Sequence, residues 1–153
     1  MKNIAAISTL LLSVVSGAPV EQRQATEFDI TNFSANTIPH GTGAFLSYDI
    51  TIPGVLSTNC FYSDQSSVGS IPDITPYRGC ADAAVQWQFR HEPSQPGGSA
   101  PYLLVITYKD LNTGVTVAGS KEWPSTDFPF EDFGSTVAQF YRGEPNFVVD
   151  DVQ

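Results

Sequence analysis

Two cysteines, two histidines and one cluster of carboxylates are the groups in this 153-residue chain with enough chemistry to define a site. Cys60 and Cys80 bracket a polar stretch rich in Ser, Pro and Gly, "CFYSDQSSVGSIPDITPYRGC". Such a pair serves as metal ligands, as a redox couple, as a nucleophile with a bystander, or as a staple. There is no CxxC, and neither His40 nor His91 lies at zinc spacing from a cysteine, so no metal and no cofactor are expected. Acyl-transfer chemistry would need a histidine between a hydroxyl and a carboxylate. His40 sits in the turn "TIPHGTG" and His91 ends "VQWQFRH", so either would suit a small extracellular hydrolase. No GxSxG elbow is present, and no catalytic residue is assigned.

The carboxylates Asp127, Glu131 and Asp132 are interleaved with Phe128, Phe130 and Phe133 in "STDFPFEDFG". The spacing of an EF-hand calcium loop is absent, and a glycosidase pair would need a sugar cleft for which nothing else speaks. The plainer reading is a surface loop tacked to the core by its phenylalanines, with an interaction patch as the alternative. Trp87 alternates inward and belongs to a core. Trp123, before Pro124, packs at a strand end or, if exposed, stacks on a sugar as in a carbohydrate-binding module. Asn32-Phe33-Ser34 is the single N-glycosylation sequon, and Asn32 would share a face with Ile30 in a straight strand, so modification requires that strand to end near Asn32.

The N-terminus decides which of these chemistries has a compartment. Lys2 precedes an apolar run from Ile4 to Val15 and then small residues Ser16, Gly17 and Ala18, the layout of a secretory signal peptide over residues 1–18. The run is shorter than the roughly 20 residues of a membrane-spanning helix, so a secreted, extracellular protein without a membrane anchor is expected. Residues 19–26 read as a short pro-segment or flexible N-terminus, with Arg23 as a second processing point. In an oxidising compartment the two cysteines are most simply one disulfide. The formal charge of −9 makes nucleic acid or an anionic membrane a poor partner.

The elements that must position these groups read as strands. "EFDITNF", "GAFLSYDITI" and "AAVQWQFRH" alternate apolar and polar residues, "YLLVITYKD" is apolar on both faces at its centre, and "VTVAGSKEW" returns after the turn "LNTG" as a hairpin partner. "NFVVDDV" supplies a last strand, and "EPSQPGGSAP" is a connection. Twelve glycines and eleven prolines fall largely in the joins, with Gly114, Gly119 and Gly134 at turn or bulge positions. The expected fold is a single all-β domain over residues 27–153, an antiparallel β-sandwich or small β-barrel of about seven short strands.

The signal peptide, "FDITNF", "IPHGTGAFLSYDI", the two-cysteine loop, "LLVITY" and "FYRGEPNFVV" together resemble the Alternaria major-allergen-like family of small secreted fungal proteins. That resemblance implies a secreted β-barrel or sandwich without established enzymatic activity, implicated in allergenicity, host interaction and defence elicitation. The family usually carries two intrachain disulfides, whereas this chain can form only Cys60–Cys80, and no family binding residue transfers to it. The sequence therefore points to a non-enzymatic domain that binds a host extracellular protein or a small apolar ligand. Its expected recognition segment is a long irregular loop tied at both ends by the cysteines and carrying Tyr62, Asp64, Asp73, Tyr77 and Arg78.

Overall fold

The computed structural model describes residues 25–93 and 101–153. The expected signal peptide, Arg23 and most of the Glu92–Pro101 connection lie outside the described residues. Seven main strands run in order: β1 (Phe28–Thr37), β2 (Ala44–Ile52), β3 (Leu56–Ser63), β4 (Ile74–Gly79), β5 (Val85–His91), β6 (Tyr102–Lys109) and β7 (Thr116–Trp123). A 3₁₀ turn at Ser125–Asp127 and three short strands follow, β8 (Phe130–Asp132), β9 (Val137–Gln139) and β10 (Phe147–Val149). They form one four-stranded sheet in the order β10-β1-β2-β3, a second in the order β4-β5-β6-β7, and a β8–β9 hairpin. All pairings are antiparallel. The domain is an all-β sandwich.

The alternation that forms the strands also fills the interior. On β2, Leu46, Tyr48, Ile50 and Ile52 are buried while Ser47, Asp49 and Thr51 face out, and on β5 the buried set is Val85, Trp87 and Phe89. On β6 the inward residues are Tyr102, Leu104 and Ile106, and the outward Leu103 and Val105 are only half-buried. The strand thus has one core face, and its outer face is shielded in part by its neighbours. Rings join the two sheets: Tyr48 meets Trp87 edge-on at 5.5 Å, and Phe33 of β1 stacks on Trp123 of β7 at 4.9 Å.

One seam between the sheets is covalent. Cys60 lies inside β3, the edge of the first sheet, and bonds Cys80, which directly follows β4, the edge of the second. The Ala81 N–H donates to the Asn59 carbonyl at 2.8 Å and the Asp82 N–H to Thr58 Oγ1 at 2.8 Å. The opposite seam is closed by the C-terminal residues, which leave β10 and run along β7. Ala118 and Gln153 exchange both backbone hydrogen bonds at 2.9 Å, and the Asp151 carboxylate accepts from the Ser120 N–H and Oγ at 3.0 Å.

Two expectations need correction. The segment between the cysteines is not one long irregular loop, because β3 and β4 occupy much of it and only residues 64–73 are irregular. The strand signal is weak there: β3 carries few apolar residues and β4 contains Pro76, which marks it as an edge strand. Gly114 and Gly134 do adopt positive φ, at 74° and 88°, but Gly119 lies within β7. A Cβ on Gly119 would stand 2.7 Å from Val149 Cγ1, so its role is to let the tail approach.

Removing the staple by Cys60→Ala with Cys80→Ala is expected to lower the unfolding free energy by about 2–5 kcal/mol, measured by urea titration. Gly119→Ala is expected to cost about 1–3 kcal/mol by overpacking the second seam. Equal stability of Gly119→Ala and the parent would show that the tail is not seated there.

Candidate functional site

The residues expected to recognise a partner divide into scaffold and surface. Asp64 follows β3 directly, and its carboxylate gathers donors from all sides: the Ser66 and Ser67 N–H groups at 3.1 and 3.0 Å, Ser67 Oγ at 2.6 Å, the Tyr62 hydroxyl at 2.7 Å and the Ala44 N–H at 3.2 Å. Burial works against its charge, but the combined hydrogen bonds from Ser67, Tyr62 and Ser66 outweigh it and hold the carboxyl well below the usual carboxylate range. Asp73 precedes β4 and accepts from the His91 N–H at 2.9 Å, with His91 Nδ1 at 2.7 Å from the same oxygen. Both aspartates fold the loop ends, Asp64 through both carboxylate oxygens and Asp73 through Oδ1 alone, with its side chain 52 % exposed.

Tyr62, Tyr77 and Arg78 lie on strands at the stapled seam. The Arg78 guanidinium sits 5.4 Å above the Tyr62 ring and bridges from β4 to β3. Burial and the neighbouring Asp64 push the Tyr62 phenol up, against the opposing pull of Arg78. Tyr77 is 42 % exposed. Sequence reasoning missed Phe61, which is 56 % exposed beside the disulfide. The signal was present: Cys60 inward on a strand puts Phe61 outward. A bulge between Ile74 and Arg78, together with Pro76, blunts the β4 edge against strand addition, so this seam offers side chains rather than backbone.

The parts of a hydrolytic triad are divided between the two histidines. His40, at φ 56° in the β1–β2 turn, has Ser135 Oγ 3.5 Å from Nδ1, while the side-chain partner of His91 is the carboxylate of Asp73. Neither ring bridges a hydroxyl and an acid among the described residues. Trp123 is 4 % exposed and stacked on Phe33, so it cannot serve as a sugar platform. In the carboxylate segment Glu131 pairs with Arg142 Nε at 2.6 Å and Asp132 accepts from the Gly134 N–H at 2.7 Å. Phe128 is core, but Phe130 and Phe133 are exposed, so one phenylalanine of the three tacks this loop down.

Asn32 is exposed, yet β1 does not end there. The strand continues to Thr37 through a bulge between Thr31 and Ser34. Among the described residues no group of three His, Cys, Asp or Glu side chains is placed to hold a metal ion. The outer face of β6 and β7 carries an open groove of about 380 Å³ lined by Leu103, Val105, Ala118, Ser120 and the C-terminal residues, where Ser120 engages the Asp151 carboxylate.

No family model matches the chain, and no curated protein compared with it matches either. The likeness to the Alternaria family stands on the sequence features alone.

The Asp64 cage predicts an acid dependence. A carboxyl depressed by folding contributes stability that is present above its unfolded value of about 4 and is lost as pH falls toward the folded one. Asp64→Asn is therefore expected to be less stable than the parent at pH 7, with the gap narrowing below about pH 4. Urea midpoints across pH 2–7 measure it, and a constant gap would mean that the charge of Asp64 contributes nothing.

Proposed function

We propose that the protein is a secreted, non-enzymatic binding domain with an allergen- or effector-like role, recognising a host extracellular protein through the β3–β4 seam. The observation that carries this reading is the exposure of Phe61, Tyr77 and Arg78 around a covalent staple. Aromatic residues and arginine dominate the energetics of protein interfaces, and a rigid backbone beneath them reduces the ordering cost of association. The interior is occupied by Trp87, Tyr48, Phe28, Phe89 and Phe128 in close contact, which supports a surface binder over a carrier of an enclosed apolar ligand. Arg78 is one of 7 basic residues against 16 acidic ones, so it favours a partner that presents a carboxylate beside apolar surface.

The test begins with capture of a partner from host extracellular fluid on the purified wild-type domain, followed by titration of that partner in pure form. Tyr77→Ala with Arg78→Ala is expected to weaken binding by roughly 30-fold, about 2 kcal/mol, while Lys121→Ala on β7, the opposite edge of that sheet, leaves it unchanged. Equal affinity of the folded double variant and the parent would put recognition elsewhere.

A further inference from the structure

We propose that Asn32 is an N-glycosylation acceptor whose glycan is seated on the outer face of the β10-β1-β2-β3 sheet, at the Thr51–Ser57 end and on the side of Asn59 away from Phe61, an inference that rests on the secretory reading. Asn32-Phe33-Ser34 has the required pattern, and the fold resolves the conflict that the pattern creates in a strand. In an unbroken strand Asn32 would point inward with Ile30, and Phe33 would point to solvent. The bulge reverses both. Asn32 takes φ 57°, a left-handed conformation that asparagine tolerates better than most residues, and its side chain emerges exposed. Phe33 is returned to the core at 2 % exposure, stacked on Trp123, while Ser34 faces out.

The amide is compatible with substitution. Asn32 Nδ2 carries two N–H groups and donates to Asp49 Oδ2 at 2.9 Å. In the transfer a bond forms between Nδ2 and the anomeric carbon of an oligosaccharide carried on a lipid diphosphate. The bond from that carbon to the diphosphate breaks, the diphosphate leaves, and Nδ2 loses one proton. One N–H remains to hold Asp49.

The surroundings suit a sugar. Asn146 Oδ1 accepts from the Asn32 N–H at 3.0 Å, Asn59 Nδ2 donates to Asp49 Oδ1 at 3.0 Å, and Thr51 and Ser57 hydroxyls meet at 2.9 Å further along the face. These form a run of amides, carboxylate and hydroxyls across three strands that contain no Lys or Arg. Such groups can exchange hydrogen bonds with saccharide hydroxyls without a buried charge.

The full chain, expressed both alone and behind an independent secretory leader in cells that glycosylate, provides the test. Intact mass of the exported protein is expected to drop by one N-glycan after peptide N-glycosidase treatment, with Asn32 converted to Asp in the mapped peptide. Ser34→Ala, which keeps the Asn32–Asp49 contact, is expected to remove the glycan and to lower the unfolding midpoint as the enzymatic removal does, and Ser34→Thr to retain both; an unchanged midpoint in both cases would show that the glycan is not seated on the face. Exported, folded wild-type protein at the bare polypeptide mass would overturn the proposal. A chain that needs the added leader for export yet carries the glycan would refute the secretory reading and support the site.

Discussion

Two stacked four-stranded sheets enclose an interior only if the long seams along their edges are shut, because an open seam admits water to the rings and leaves edge strands available to other chains. This domain shuts its two seams by different means. At β3 and β4 the closure is covalent, with Cys60–Cys80 reinforced by backbone and side-chain hydrogen bonds from Ala81 and Asp82. At β10 and β7 the chain itself is the closure: it leaves one sheet and hydrogen-bonds along the edge of the other through Asp151 and Gln153. The second device works only because Gly119 lacks a side chain under Val149 and Val152.

The ends of the sandwich pose a separate problem, since loops there bury backbone groups that need partners. Gln139 solves it at one end. Its Oε1 accepts from the Ile71 N–H at 2.9 Å, its Nε2 donates to the Phe128 carbonyl at 2.9 Å and to the Tyr102 hydroxyl, and its own N–H donates to Thr37 Oγ1 at 2.8 Å. One buried amide thereby fixes β9, the loop before β4, the segment after the 3₁₀ turn and the end of β1. The centre of the core is held differently. Tyr48 Oη and Trp87 Nε1 have no hydrogen-bond partner among the described residues, which at about 1–3 kcal/mol each must be offset by the packing of their rings.

Period-two alternation made β1, β2 and β5 legible, because each buries one face and the chemistry of that face is visible residue by residue, while β6 was read from its apolar run and β7 as its hairpin partner after the turn. What stayed hidden depended on distant partners. β4 is mostly exposed, so its alternation carries no hydrophobic signal, and β8 and β9 are three residues each. The bulge at Asn32 could be anticipated only as a conflict between Ile30 and Phe33, both of which the core requires. Of the candidate site the staple was legible, whereas Tyr77 and Arg78 were placed in a loop that is strand β4. That Asp64 and Asp73 also fold the loop ends was not legible, because a carboxylate in a polar loop reads the same whether it faces a partner or its own backbone.

Arg78 shows how the seam combines closure with an available surface. By register it opposes the inward Trp87, but β4 is an edge strand, so its side chain reaches across the rim instead of into the core. Its guanidinium lies over the Tyr62 ring, and Tyr62 in turn donates to Asp64, which organises the loop after β3. A guanidinium over a ring is held by the ring's negative face and need not give up its N–H donors to that contact. Among the described residues no ion pair engages them. The same contact that closes the rim therefore leaves the guanidinium without an ion-pair partner among the described residues, with the exposed rings of Phe61 and Tyr77 on the strands to either side.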